Sequence, residues 1–164
     1  MMKAGGAEIR IAALDDAEPI STLVTAVSRS FITPDLPPDG RKRLLASMTP
    51  AAIRQYMRAG YRYHVACAHG SIVGVVATRD DRHIYHLFVD GAWQGRGLGR
   101  RLWSEASAAC VRAGNPGEFT VNSSLNAVQF YEQFGFVRQS GPVVHGGVIA
   151  VPMRLRVVAA APEL

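Results

Sequence analysis

Two cysteines, Cys67 and Cys110, are the only thiols in 164 residues. A pair so sparse and widely spaced supplies neither a disulfide framework nor a zinc site, and both read as reduced core residues of a cytoplasmic protein. No window approaches the roughly 18 consecutive apolar residues that a membrane span needs. The amino-terminal residues carry one lysine with no apolar segment behind it, so no signal peptide is expected. Internal repeats, runs of like charge and linkers long enough to separate domains are also missing. A single domain over residues 1–164, with its core over 7–157, is expected.

Hydrophobic residues make up 48% and charged residues 19%, the balance of an ordinary soluble globular chain. The net charge of +5 suits nucleic acid, an anionic surface or an anionic small ligand. Basic residues interleaved with aromatics, the mark of a nucleic-acid surface, do not occur, and neither nucleic acid nor membrane is an expected partner. Instead Arg96, Arg100 and Arg101 gather in one glycine-rich stretch, as an anionic small ligand requires.

That stretch, residues 83–113, reads as a strand ending Leu87-Phe88-Val89, a short turn, a loop holding Gly95, Gly97 and Gly99, and a helix. Glycines let a backbone turn tightly and approach a ligand closely. A helix opening behind such a loop presents unpaired N–H groups and partial positive charge, a phosphate site. The bland alternative is a glycine-rich surface turn. A dinucleotide fingerprint is excluded because its third glycine position, counted from Gly95, is Arg100. A P-loop is excluded because no G-x-x-x-x-G-K-[ST] run occurs.

Patterning orders the remaining elements. Residues 8–12 alternate as a strand, and Asp15 or Asp16 can cap a helix over Ile20, Leu23, Val24 and Val27 ending near Phe31. Residues 33–40 hold too many prolines for a helix or strand, and a helix follows over 41–48. Thr49-Pro50 starts another helix, stopped by Gly60. Residues 61–68 and 72–78 form a hairpin, and Asp80-Asp81 turns into the strand at His83. A helix over 97–113 is followed by a strand at 118–121. Asn126 and Gln129 have capping-box spacing before Ala127, Phe130, Tyr131 and Phe134, with Gly135 as the stop. Residues 136–138 and 148–156 form a last antiparallel pair, and the tail after Val158 is expected to fray. Hairpins joined to one crossover imply an α/β (α+β) mixed sheet of about seven strands with helices on both faces.

Gln94-x-x-Gly97-x-Gly99 between a strand and a helix resembles the signature of the GNAT superfamily, the acetyl-CoA-dependent N-acetyltransferases. Asn126 to Tyr131, with Gly135-Phe136 behind, is similar to the second GNAT motif, in the right order and about thirty residues on. The element order is also that of the GNAT fold, so the resemblance covers nearly the whole chain.

The resemblance implies acetyl-CoA as acyl donor, no metal, and a small-molecule or peptide primary amine as acceptor, attacked directly in a ternary complex. It implies that the Leu87, Phe88 and Val89 backbone binds the pantetheine and supplies an oxyanion donor. Gln94, Gly95, Arg96, Gly97, Leu98, Gly99 and Arg100 would hold the pyrophosphate, with Arg96 or Arg100 adding charge. Asn126 would bind the pantetheine or a phosphate oxygen, and Tyr131 would protonate the departing thiolate. His83 is the favoured general base because an unperturbed histidine titrates near working pH. His86 reads as a core histidine, and no strand glutamate offers an alternative base. By strand alternation His83, Tyr85, Leu87 and Val89 share one face, with Ile84, His86 and Phe88 on the other. Tyr85, His145 and the 34–40 loop would wall the acceptor site, which has no acidic cluster. Gly91 stands where the family commonly has proline. The rival function is a non-catalytic acyl-CoA-binding module. A homodimer through the last strands is compatible with the resemblance.

Overall fold

The computed structural model describes residues 6–157, so the tail after Val158 lies outside the described residues. Local chemistry sets the early elements. A strand, β1 (Glu8–Ile11), leads into a helix, α1 (Ala17–Phe31). Asp16 does not cap α1 through its side chain; its carboxylate accepts the Ala13 N–H at 2.7 Å and pairs with Arg10. Helix α2 (Pro38–Ala46) begins three residues earlier than the expected 41, because Pro38 takes the first helical position, where a missing N–H costs nothing. Thr49 caps α3 (Pro50–Arg58) as expected, its hydroxyl accepting the Ala52 N–H at 3.2 Å.

Three strands follow, β2 (Arg62–Ala68), β3 (Ser71–Arg79) and β4 (His83–Val89). The tight turn between β2 and β3 holds His69 and Gly70 at positive φ, and that between β3 and β4 holds Asp80 and Asp81 there. Helix α4 (Leu98–Arg112) crosses over to β5 (Glu118–Ser123). Asn115 fastens that crossover: its amide donates to the Asp81 and Glu118 carbonyls, and its oxygen accepts the Gly117 and Glu118 N–H groups. A 3-10 turn over Leu125–Ala127 precedes the short α5 (Val128–Glu132). The chain closes with β6 (Val137–Arg138), β7 (Val143–His145) and β8 (Val148–Arg156).

The sheet order is β1-β2-β3-β4-β5-β8-β6, with β7 paired to β8. All these pairs are antiparallel except β4 with β5. On one face α1 and α3 bury Ile20, Val24 and Ile53 against Tyr63, Val65 and Val75. On the other, α4 buries Leu98, Leu102 and Ala106 against Ala66, Val73 and Val76.

The centre of β4 departs from simple alternation. His86 pairs with Ala77 and Ile84 with Thr78, which leaves Tyr85 as an extra residue without a partner. An inserted residue reverses which face each later side chain takes. Tyr85 and His86 therefore pack together, ring centroids 4.5 Å apart, and Phe88 joins them on the α1 and α3 side. Leu87 and Val89 turn to the α4 side. The expected sharing of one face by His83, Tyr85, Leu87 and Val89 is thus wrong beyond Tyr85.

Candidate active site

Strands β4 and β5 are paired only at His83 with Thr120 and Ile84 with Val121. Past these two steps they splay, leaving the β4 backbone from Tyr85 to Val89 without a ladder partner on that side. Two adjoining cavities occupy the gap, one of about 590 Å³ and one of about 340 Å³.

The larger cleft runs from the splay to the start of α4. Leu87, Phe88, Val89, Gln94, Gly95 and Gly97 line it, as do Leu98, Gly99, Arg100, Asn126 and Tyr131. The loop geometry requires its glycines: Gly95 and Gly97 sit at φ of +77° and +78°. A Cβ on Gly99 would lie 3.0 Å from the Phe130 ring, so glycine lets the first turn of α4 lie against α5. The first helical N–H bonded back into the loop is that of Arg101, to the Gly97 carbonyl at 3.1 Å. The N–H groups of Leu98, Gly99 and Arg100 ahead of it make no backbone hydrogen bond and belong to residues that line the cleft, as an anion site needs. The Gln94 amide folds back onto the Val89 carbonyl at 3.1 Å. The Arg100 guanidinium lies 5.0 Å over the Phe134 ring, and Arg96 lies 5.1 Å over Trp93, off the cleft lining. Arg101, expected in the same cluster, instead donates to the Ala7 carbonyl at 2.8 Å. Asn126 donates its amide to the Phe31 carbonyl at the end of α1, and no capping box forms with Gln129.

The smaller cavity is walled by His83, Tyr85, His86, Phe88 and Arg79 below, and by Leu44, Met48, Val143, His145 and Ile149 above. The roof comes from α2 and the β7–β8 hairpin, which meet where Gly40 abuts Gly147. His83 Nδ1 lies 2.8 Å from the Thr120 hydroxyl. Burial, aided by Arg79, lowers its pKa to about 4, so the expected titration near working pH does not hold. His86 is buried, with Nδ1 3.1 Å from the Tyr63 hydroxyl and its pKa lowered to about 3, a core histidine as expected. Tyr85 stacks edge-on against Tyr56 and Tyr61, and burial holds its phenol protonated.

Ile32, Leu87, Phe88, Ser124, Ala127 and Tyr131 line both cavities. Tyr131 is 6% exposed, and burial raises its phenol well above the ordinary range. Its phenol therefore stays protonated, and the residue lies where the two cavities adjoin. The motif residues of the larger cleft are legible in the sequence as a group. Arg79, Ser124 and the Gly40–Gly147 contact carry no motif, and only the adjacent Gly146 and Gly147 hint at a close approach.

A family profile described as an acetyltransferase (GNAT) domain matches residues 32–157. The chain belongs to the GNAT acetyltransferase family. No curated relative matches the sequence of this GNAT domain. An N-acetyltransferase from Rhodopseudomonas palustris is similar to it with a TM-score of 0.77 and 21% identity, over 96% of this chain and 98% of that one. The PaiA N-acetyltransferase of Thermoplasma acidophilum, solved with coenzyme A, has a TM-score of 0.76 at 13% identity, over 92% and 99%. The yncA protein of Salmonella typhimurium, solved with its cofactor acetyl-CoA, has a TM-score of 0.62 at 26% identity, over 96% and 98%. No three His, Cys, Asp or Glu side chains come close enough to hold a metal, and no helix is long and apolar enough to cross a membrane, among the described residues.

Proposed function

We propose that this GNAT domain transfers the acetyl group of acetyl-CoA to a primary amine of a small molecule or peptide, by direct attack in a ternary complex. The observation that carries the reading is Tyr131, a protonated phenol lining both cavities at once. When bound, acetyl-CoA supplies an activated thioester acyl group. The pyrophosphate fits the Gly95–Gly99 loop and the N-terminus of α4, with Arg100 beside it. The unpaired β4 backbone at Leu87 to Val89 offers main-chain partners to the pantetheine and an N–H toward charge developing on the acyl oxygen. Tyr131 holds a proton at its hydroxyl for the leaving sulfur.

His83 faces the acceptor cavity as a neutral imidazole and is the candidate base, with Thr120 fixing its ring. A pKa of about 4 makes it a weak one, so the incoming amine arrives already neutral or loses its proton through water. Tyr85 and His145 form acceptor walls. Neither cysteine lines either cavity, which disfavours a covalent acyl-enzyme. The proposed setting is the cytoplasm, where both thiols stay reduced. A purely acyl-CoA-binding module would have no use for a second cavity meeting the first at a proton donor.

The test is Tyr131→Phe in a thiol-release assay with a panel of amines. Turnover falls about 10²-fold or more, the usual worth of a positioned general acid, while CoA affinity changes little. Undiminished turnover in the variant refutes the proton-donor role.

A further inference from the structure

The chemistry of the smaller cavity goes beyond "an amine". Resting on the acetyltransferase reading, we infer that the acceptor carries its amine and an anionic group at opposite ends of an apolar body about 10 Å long, with Arg79 receiving the anion. No aspartate or glutamate lines this cavity, and Arg79 is its one permanently charged residue. Its nearest acid is Asp80, with Nε and Oδ2 3.7 Å apart, too far for a hydrogen bond. The Asp80 side chain is 87% exposed, so this pair is weak and leaves the guanidinium its donors. The other nearby acids are committed: Asp81 pairs with Arg62, and Glu118 with Arg154 and Arg156. The Arg79 side chain is 43% exposed, and a planar fork of unused donors on the wall of a largely apolar cavity is the arrangement that takes a carboxylate or similar anion.

Length follows from position. Arg79 lies opposite His83 in the β3–β4 ladder, whereas the amine must reach Leu87 and Tyr131 at the splay. Leu87 pairs with Val76, so with Tyr85 bulged out its row stands three β3 residues from that of Arg79, about 10 Å along the ladder. An α-amino acid, whose amine and carboxylate share one carbon, is too short. An extended tripeptide with a free C-terminus spans about 10 Å, and an ω-amino acid of similar length shares its chemistry. Between the ends, Leu44, Met48, Phe88, Val143 and Ile149 accept an apolar body. Polyamines are disfavoured because they bring positive charge to a positive cavity.

The experiment compares thiol release from acetyl-CoA with trileucine against trileucine amide, and with ω-aminooctanoate against octylamine, taking leucine and spermidine as controls. The free acids exceed their uncharged counterparts in kcat/KM by about 10-fold, the worth of one charge-assisted pair. Arg79→Met brings each ratio toward one, and Arg79→Lys restores part of it, with CoA binding measured by calorimetry unchanged. Preference for trileucine identifies a peptide acceptor, and preference for ω-aminooctanoate a non-peptide one. Equal rates for acids and counterparts, preference for spermidine or leucine, or an acid preference that survives Arg79→Met overturns the inference while leaving acetyl transfer standing. Absence of thiol release with every amine overturns the acetyltransferase reading and this inference with it.

Discussion

Replacing Gly40 by alanine tests whether the roof of the smaller cavity, proposed to take the acceptor, matters. A Cβ on Gly40 would stand 1.9 Å from the Gly147 carbonyl oxygen and 2.4 Å from its carbon. Both are backbone atoms, so no side-chain rotation relieves the clash, and α2 and the β7–β8 hairpin must separate by about 1 Å. Gly147 is itself at φ +79°, and a Cβ on its neighbour Gly146 would strike the Arg43 guanidinium, so the hairpin has little freedom to adapt. Overpacking of this kind costs about 1–3 kcal/mol, offset by about 0.5–1 kcal/mol that alanine gains over glycine within a helix. The net loss of stability is between near zero and about 2.5 kcal/mol. The catalytic effect is larger, because a misplacement of about 1 Å can lower a rate about 10²-fold. In steady-state thiol release, Gly40→Ala therefore lowers kcat/KM for the acceptor about 10²-fold while CoA affinity holds within about twofold. Gly141→Ala, with nothing within 4 Å of its Cβ, is the silent control. Unchanged acceptor kinetics, or an equal loss of CoA binding, would refute the assignment of this roof to the acceptor.

Two more predictions concern charge. Burial lowers the pKa of His83 to about 4 and of His86 to about 3. The unfolded chain takes up protons as pH falls below about 6.5, while the folded protein does not until those lower values, so stability present above 6.5 is lost on acidification through this window. The melting temperature should fall between about pH 7 and pH 5, with a shallower slope in His83→Gln; a pH-independent melting temperature refutes it. Arg100→Ala should weaken CoA binding about tenfold and reduce its salt dependence, measured by calorimetry at two ionic strengths. Unaltered affinity would mean that the guanidinium over Phe134 serves packing alone.

What is readable from the chain is what local chemistry decides. Gly95, Gly97 and Gly99 announce a loop opening a helix, Thr49-Pro50 a helix start, and Asp80-Asp81 a turn, because each depends on residues close in sequence. The place of Tyr85 escapes such a reading because a bulge is a property of two strands in register, and the β3 residues that create it lie elsewhere in the chain. Arg101 looks like its neighbour Arg100 until the fold brings the Ala7 carbonyl to it. His83 has the titration range of a solvated imidazole as long as only its neighbours in sequence are considered, and burial beside Arg79 is what displaces it. The Gly40–Gly147 contact joins residues more than a hundred positions apart and leaves no local pattern beyond the Gly146-Gly147 pair.

The two cavities share six lining residues, Tyr131 among them. Substitutions in α2 or in the β7–β8 hairpin can reshape one chamber without touching the glycine loop, Arg100 or Asn126 of the other. If the two chambers hold donor and acceptor as proposed, divergence of acceptor preference needs no compensating change on the donor side, and the shared residues alone must satisfy both ligands at once. In a lineage descended from this chain, Ile32, Leu87, Phe88, Ser124, Ala127 and Tyr131 should be the slowest to drift, and the roof the fastest.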